Sequence, residues 1–229
     1  MAVKPALEAI LERISLAALR SGRSSSSVHL IAVTKTVPVE TVLEAIEAGV
    51  RIFGENRVQE ALPKIEAVES RGFTPEWHFI GKLQRNKAKQ VVGRFAMIHS
   101  VDSLPLAEEI SRQGEQKGLT SDILLEVNIS GELTKKGFSI PEVLPFLDRI
   151  NQLNYVKVRG LMTVPPPFAE PERSRPWFKK LKELGEEVET KLGRGLEFYS
   201  MGMSNDYEVA IEEGATHVRI GRALFGERV

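Results

Sequence analysis

The residue with the clearest chemical potential is a lysine that ends a short apolar segment. Lys35 follows the run VHLIAVT, which is β-branched and apolar enough for a strand buried on both faces of a parallel sheet. Burial at the end of such a strand disfavours the ammonium form and frees the amine to attack a carbonyl group. Taken alone, Lys35 is better explained as a lysine that simply reaches solvent, because exposed lysines are the rule.

Two glycine-containing turns are candidates for binding a phosphate group. The first, SMGMSND, covers residues 200–206, and the second, RIGR, covers residues 219–222. Small residues let a phosphate approach the backbone, whose N–H groups attract an anion at a helix N-terminus. Each turn alone is also typical of an ordinary turn glycine followed by a helix cap.

An amine and a phosphate site in one pocket predict a phosphorylated aldehyde as the ligand. Pyridoxal 5'-phosphate (PLP), bound as a lysine Schiff base, is the obvious candidate. A lysine-imine aldolase uses the same groups, so the residues alone leave both chemistries open.

The elements that must position these groups alternate strictly between strand and helix. Eight of each are predicted at about 29 residues per unit, which is typical of a minimal (β/α)8 TIM-type barrel, an α/β fold. A doubly wound open sheet is the alternative. The predicted strands are VHLIAVT, VRIFG, WHFIG, FAMIHSV, DILLEVN, VKVRGLMTV, LEFYSMG and THVRIG.

The chain ends about eight residues after the last strand, so the extra N-terminal helix is expected to fill the place of the eighth barrel helix. A basic helix is predicted over residues 83–92, with a solvated face rather than a nucleic-acid site as the interpretation. A long helix is predicted over residues 172–191, and a further helix is predicted with Ser204 or Asn205 as its cap. No interior break indicates two domains, so residues 1–229 are expected to form one domain.

Such a barrel brings the chemical residues together, because its active site lies at the carboxyl ends of the strands. Lys35 ends the first predicted strand, and the two glycine turns follow strands seven and eight, where barrels commonly bind phosphate. The loop PPPFAEPE, residues 165–172, is expected to lie over the barrel mouth. Glu126 and Asn128 at the end of the fifth strand are candidate polar partners inside the barrel.

Composition excludes several classes of protein. Thirty-one basic residues balance thirty-one acidic ones, and a net charge of zero argues against nucleic-acid or anionic-membrane binding. The absence of cysteine excludes disulfides and thiolate chemistry, and the four histidines lack metal-site spacing. The longest stretch without a charged residue is far shorter than the ~20 residues of a membrane span, and the N-terminus lacks a signal-peptide pattern. A cytoplasmic protein is expected.

Six segments, in order over nearly the whole chain, make the interpretation specific. They resemble the YggS/PROSC family of PLP-binding proteins. That resemblance implies an alanine racemase-like barrel standing alone, associated with vitamin B6 homeostasis and without established turnover. The segments are AVTKTVP, FGENRVQE, WHFIGKLQRNK, GLMTVPP, SMGMSNDYEVAIEEG and VRIGRALFGER.

The resemblance also implies roles for individual residues. Lys35 is similar to the Schiff-base lysine, and Arg219 to the residue that approaches either the pyridine nitrogen or the phosphate. Many members have a serine or threonine in place of Arg222, where an arginine keeps the backbone N–H and adds positive charge. The remaining implied cofactor residues are Ser200, Gly202 and Ser204 in one phosphate turn, Gly221 and Arg222 in the other, and Asn56, His78 and Met162 around the ring.

The sequence favours binding without turnover, so no catalytic residue is assigned. If Arg219 faces the pyridine nitrogen, that nitrogen stays unprotonated, because an arginine does not readily give up its proton. Racemising relatives append a β-rich domain that supplies a tyrosine base. The chain ends at Val229, and none of its three tyrosines has an evident place in that role, so the second base and the lid are expected to be absent.

The predicted function is therefore PLP binding in intracellular vitamin B6 and amino-acid homeostasis, by a monomer. The expected partners are PLP and PLP-dependent apo-enzymes. The alternatives are a weak PLP-dependent amino-acid racemase and a Schiff-base aldolase without PLP.

Overall fold

Eight parallel strands close into a barrel in the computed structural model, which describes residues 2–132 and 134–226. Neighbours in sequence are neighbours in the barrel, and β1 closes it by pairing with β8, where His29 lies opposite His217. The strands are β1 (His29–Val33), β2 (Ile52–Glu55), β3 (Glu76–Phe79), β4 (Met97–Val101), β5 (Ser121–Glu126), β6 (Val156–Met162), β7 (Phe198–Met203) and β8 (His217–Ile220). The predicted (β/α)8 barrel is confirmed, and the open sheet is wrong.

The helices surround the barrel and bury one apolar face each, as their hydrophobic spacing predicts. Within the same described ranges they are α1 (Val3–Arg20), α2 (Val39–Ala48), α3 (Val58–Glu69), α4 (Ala88–Val91), α5 (Leu104–Lys117), α6 (Ile140–Ile150), α7 (Arg175–Leu192), α8 (Tyr207–Glu212) and α9 (Arg222–Phe225). Glu227 and Arg228, which end the last of the six family-like segments, lie outside the described residues. Among those described, no helix combines the length and the apolar character that crossing a membrane requires.

Helix α1 takes the place that a full helix after β8 would occupy, as expected. Its buried face packs against α8, α2 and the single turn of α9. Arg13 and Arg20 on its outer side form ion pairs with Glu208 and Glu212 of α8. The N-terminal helix therefore covers the seam where the barrel closes.

The predicted basic helix after β3 is wrong in extent. The chain instead forms a 3-10 turn at Arg85–Lys87 and the one-turn helix α4, which ends before Gly93 with φ +82°. A continuous helix would place Arg85 and Lys89 four residues apart on one face, and like charges at that spacing are destabilising. The segment carries no acid to offset them.

The helix predicted after β7 exists, but neither Ser204 nor Asn205 caps it. Helix α8 begins at Tyr207, and Asp206 holds the capping position with its side chain turned to the backbone of β7. The hydroxyl of Ser204 contacts the turn after β8 instead. The helix predicted over residues 172–191 begins as a 3-10 turn, and α7 proper starts at Arg175.

The barrel interior contains a small apolar cluster beside polar side chains. Met97, Leu124 and Met162 form this buried cluster, which packs against Phe198. Gly160 on β6 allows the close approach of Phe198, because a side chain there would collide with its backbone. The buried polar side chains beside the cluster are His78, His99 and Ser200.

Candidate functional site

A cavity of about 420 Å³ opens at the carboxyl ends of the strands. Barrels place their ligand sites at this end, where loops from all eight units converge. The lining residues are Val33, Lys35, Asn56, Ile80, Val164, Pro166, Pro167, Phe168, Met203, Ser204, Asn205, Asp206, Arg219, Gly221 and Arg222.

Lys35 lies in a turn directly after β1 and lines the cavity, half-buried. The next residue, Thr36, has φ +61°, a left-handed conformation that is unfavourable for a β-branched residue. Such strain persists only where surrounding contacts hold it, and it concentrates at functional sites. The N–H of Val37 donates to the carbonyl of Thr34 at 2.9 Å and closes the turn.

A buried ion pair supports this turn from below. The ammonium of Lys64 on α3 donates to the carboxylate of Glu55 and to the carbonyl of Thr34, both at 2.5 Å. The hydroxyl of Thr34 donates to the same carboxylate at 2.7 Å. The backbone just before Lys35 is thereby fixed by a charged group that cannot move without leaving a buried partner unpaired.

The turns after β7 and β8 meet at the cavity. The hydroxyl of Ser204 accepts the backbone N–H groups of Gly221 and Ala223, each at 3.3 Å. Gly202 reaches this geometry with φ +90°, and a side chain there would press against α8. The paired N–H groups are those that a phosphate oxygen would need.

Arg219 forms part of the cavity surface and is almost fully buried. One terminal nitrogen donates to the carbonyl of Ser200 at 2.7 Å and to its hydroxyl at 2.6 Å, and the other donates to the carbonyl of Thr163 at 2.9 Å. Burial lowers the pKa of Arg219 to about 10, opposed by the charges of Asp206 and Glu126. The guanidinium remains charged at neutral pH and keeps further N–H donors for a ligand.

Asn56, at the end of β2, presents an unused acceptor. Its side-chain oxygen is buried and accepts no hydrogen bond from the described residues. Gly81 makes this position possible, because a Cβ there would strike the backbone of Asn56. A buried polar atom without a partner is costly, and a ligand donor in the cavity would relieve that cost.

The structure brings six of the ten predicted site residues to the cavity lining. Ser200 and Gly202 lie behind the lining, where Ser200 holds Arg219 and Gly202 shapes the turn. His78 and Met162 are not among the described residues that line this cavity. His78 is bonded to His99 in the barrel interior, and Met162 belongs to the apolar cluster around Phe198. The six lining residues are Lys35, Asn56, Ser204, Arg219, Gly221 and Arg222.

Sequence reasoning missed the side chains that form the cover of the cavity. The backbone carbonyl of Phe168 accepts a hydrogen bond from Asn205 at 2.9 Å, and the guanidinium of Arg173 lies over its ring. Asp206 accepts the N–H of Met203 and the hydroxyl of Ser174. The proline-rich pattern predicted a loop over the mouth, but it did not indicate which side chains hold it.

Glu126, near the same end of the barrel, is separate from Asn128, so their predicted partnership is wrong. Asn128 turns toward its own loop and bonds Gly131 and Glu132. Burial and the neighbouring charge of Asp102 raise the pKa of Glu126 to about 7.

The sequence matches the family model described as alanine racemase, N-terminal domain, over residues 6–229. It is 46% identical to the pyridoxal phosphate homeostasis protein of Aquifex aeolicus over 222 residues, covering 97% of this chain and 96% of that protein. It is 44% identical to the pyridoxal phosphate homeostasis protein of Pseudomonas aeruginosa over 220 residues, covering 96% and 93%.

Solved structures show the same barrel. PipY of Synechococcus elongatus, solved with PLP bound, superposes with a TM-score of 0.82 at 38% identity, covering 95% of this chain and 100% of PipY. An alanine racemase of Clostridium difficile superposes with a TM-score of 0.70 at 16% identity, covering 88% of this chain and 53% of the racemase. The second likeness concerns the fold alone, and it confirms the alanine racemase-like barrel.

The raised pKa of Glu126 predicts a pH dependence of stability. Between its usual pKa of 4.5 and about 7, the folded chain binds more protons than the unfolded chain. The free energy of unfolding should therefore fall as pH rises through this window. Glu126→Gln should remove that fall, so the variant should gain about 1–3 kcal/mol over the parent from pH 4.5 to above 7.

Urea unfolding at a series of pH values measures this difference. Glu47→Gln, at an exposed glutamate of α2, is the matched control and should keep a constant difference from the parent. A constant difference for Glu126→Gln as well would contradict the raised pKa.

Proposed function

The chain belongs to the YggS/PROSC family of pyridoxal phosphate homeostasis proteins, and we propose that it binds PLP in intracellular vitamin B6 and amino-acid homeostasis. The observation that carries this is one cavity lined by Lys35 and by Ser204, whose hydroxyl accepts two backbone N–H groups of the turn after β8. We propose that the barrel, residues 1–229, acts as a single PLP-binding domain.

The residues present fit this ligand. PLP, when bound, supplies an aldehyde that condenses with a primary amine, a phosphate dianion and an aromatic ring with a basic nitrogen. Lys35 provides the amine, and its strained, anchored turn holds the Nζ in the cavity. Asn56 adds an acceptor that has no partner among the described residues. His78 and Met162 lie outside the cavity lining, so they support the ring indirectly. His78 does so through its hydrogen bond to His99, and Met162 through its packing beside Phe198.

The phosphate end consists of the two glycine turns. Ser204 can donate its hydroxyl proton to a phosphate oxygen. The N–H groups of Gly221 and Ala223, which donate to that hydroxyl, can donate to the same anion instead. The φ of +90° at Gly202 places the Ser204 turn against Gly221. Arg222 is exposed at this edge, where its charge attracts the dianion from solution. Ser200 contributes indirectly, by holding Arg219.

Arg219 supports binding without turnover. It offers a ring nitrogen a hydrogen bond but keeps its own proton at neutral pH, since its pKa of about 10 lies well above that value. A protonated ring nitrogen makes the ring a strong electron sink, and without it turnover depends on well-placed bases on both faces of the ring. An arginine in this place therefore favours retention of the cofactor over electron withdrawal.

The tyrosines give no evident second base. The hydroxyl of Tyr199 donates to Glu189, and burial raises its pKa. Tyr207 is buried at the start of α8, beneath the guanidinium of Arg13. Among the described residues, the cavity lining contains no tyrosine. We therefore propose a role in holding PLP rather than in catalysis.

We propose that the protein works as a cytoplasmic monomer that delivers PLP to PLP-dependent apo-enzymes. The half-buried Lys35 and the exposed Arg222 support exchange, because both ends of the site can be reached from solvent. The balanced charge supports a small-molecule ligand rather than a nucleic acid.

Lys35→Ala should abolish the visible absorption of PLP bound to the purified protein, because it removes the amine that attaches the aldehyde. The spectrum of PLP-loaded, gel-filtered protein measures this. Lys82→Ala, at an exposed lysine just after β3, is the matched control and should keep the band. A parent protein that stays colourless with added PLP would contradict the cofactor and favour the aldolase.

Ser204→Ala should weaken PLP binding by about 10- to 100-fold, as expected for loss of one hydrogen bond to a charged group. Binding of pyridoxal, which lacks the phosphate, should stay unchanged. Equilibrium dialysis of both ligands measures the two constants, with Ser130→Ala, at a loop hydroxyl after β5, as the control. Equal losses for pyridoxal and PLP would speak against a phosphate role for this turn.

The PLP-loaded protein should leave the α-proton of L-alanine in place. Among the described lining residues, the carboxylate of Asp206 already accepts hydrogen bonds from Ser174 and Met203, so Lys35 has no free partner base. Proton NMR of L-alanine in deuterium oxide measures the exchange, against free PLP at the same concentration. Exchange that requires Lys35 and exceeds the free-cofactor rate would establish the weak racemase instead.

A further inference from the structure

Five polar side chains form a continuous line through the barrel interior. It begins at Arg219 in the cavity surface and ends at Glu76, the first residue of β3, at the opposite end of the barrel. The four links are Arg219 Nη1 to Ser200 Oγ at 2.6 Å, Ser200 Oγ to His99 Nδ1 at 2.9 Å, His99 Nε2 to His78 Nδ1 at 2.9 Å, and His78 Nε2 to Glu76 Oε1 at 2.6 Å. We call this line the histidine relay.

The middle of the relay is withdrawn from water. Ser200, His78 and His99 are fully buried, while the side chain of Glu76 is 50% exposed. Each imidazole nitrogen therefore has the next member of the line as its partner. Buried polar groups are satisfied in this way or carry a substantial cost.

The two ends of the relay fix the direction of its first and last hydrogen bonds. Arg219 can only donate, and the carboxylate of Glu76 can only accept. Burial lowers the pKa of His99 well below its usual value, so that imidazole is neutral, with one donor and one acceptor nitrogen. A hydrogen bond from His78 lowers the pKa of Glu76, which keeps the carboxylate charged.

With a neutral His78, only one order satisfies all five groups. Ser200 accepts from Arg219 and donates to His99 Nδ1. The Nε2–H of His99 then donates to His78, whose own Nε2–H donates to Glu76. The opposite order would set the lone pair of His78 Nε2 against the carboxylate. In that order, both rings carry their proton on Nε2.

The surrounding groups hold the rings in place. His217 stacks on His29 at 4.9 Å and on Phe198 at 4.4 Å, and its ring lies 6.3 Å from that of His78. Burial and the neighbouring histidines lower the pKa of His217 to about 2, so it adds no charge. The charged groups that face the relay are Glu76 at one end and Arg219, with Asp206 and Glu126 near it, at the other.

We propose that the histidine relay is a positioning device that orients Arg219 toward the ligand and couples the ligand cavity to the carboxylate of Glu76. Hydrogen bonds in a chain polarise one another, and a hydroxyl that donates strongly is a better acceptor. The negative charge of Glu76 at the end of the chain therefore strengthens the hydrogen bond from Arg219 to Ser200. Three N–H groups of Arg219 donate to Ser200 and Thr163. By holding the guanidinium in this orientation, the relay fixes the direction of its remaining N–H groups. Only this last step, toward PLP, rests on the proposed function.

The tautomers test the relay without any ligand. Nitrogen NMR of the unloaded protein with isotope-labelled histidine should show His78 and His99 as neutral Nε2–H tautomers at about pH 7. Assignment uses His78→Gln and His99→Gln, each of which should remove one signal pair. An Nδ1–H tautomer at either ring, or a protonated His78, would reverse the line and overturn the proposal.

Glu76→Gln tests the coupling in the PLP-loaded protein. It keeps an acceptor oxygen but removes the charge at the far end of the relay, so PLP release should become about 3- to 10-fold faster, the effect of weakening one hydrogen bond. The pH midpoint of the visible absorption band should shift with it. Glu197→Gln is the matched control, at a glutamate just before β7 that is 53% exposed and paired with Arg159.

The outcomes separate the relay from the proposed function. Glu76→Gln changes a half-exposed residue, so it should fold normally, as circular dichroism would verify. Parent-like release and midpoint in that variant would overturn the coupling. A parent protein that binds no PLP would overturn the proposed function, while the tautomers would still confirm or overturn the relay itself.

Discussion

A positive charge inside a closed barrel is the constraint on which the rest of the site depends. Arg219 is 5% exposed, and a guanidinium withdrawn from water needs acceptors for its N–H groups. Two of the three acceptors belong to Ser200, where the register between β7 and β8 begins to shift, and the third is the carbonyl of Thr163 after β6. Beyond the same irregularity, the hydroxyl of Ser204 accepts the N–H of Gly221. The irregular end of β7 therefore contributes both to the compensation of the buried charge and to the contact between the two turns.

The turn after β1 is fixed by a second buried charge. Lys64 and Glu55 contribute little net stability as a pair, because the cost of desolvation offsets their attraction. The pair acts on geometry, since displacing either residue leaves a buried charge unpaired. Because Lys64 also bonds the carbonyl of Thr34, this penalty holds the turn that carries Lys35. The Lys35 turn and the Ser204 turn are therefore held by different sets of contacts.

The sequence predicts the barrel because strand and helix periodicity are local properties of the chain. It also predicts Lys35, Gly221 and Arg222 at the cavity, because the carboxyl ends of barrel strands converge. It does not predict side-chain direction: Ser204 looked like a helix cap, yet its hydroxyl meets Gly221, 17 residues away. The bond between His99 and Ser200 spans 101 residues and exists only once the barrel has closed. No local pattern encodes it.

The two faces of the cavity differ in how firmly they are held, and this difference bears on function. The floor is fixed by buried hydrogen bonds to Arg219 and by the buried Lys64 pair. The cover, residues 164–168, is attached through exposed contacts, from Asn205 to the carbonyl of Phe168 and from Lys135 to the carbonyl of Val164. Exposed bonds open at little free-energy cost, so the cover can move while the floor keeps its shape. Under the proposed function, retention of PLP depends on the floor and its release on the cover.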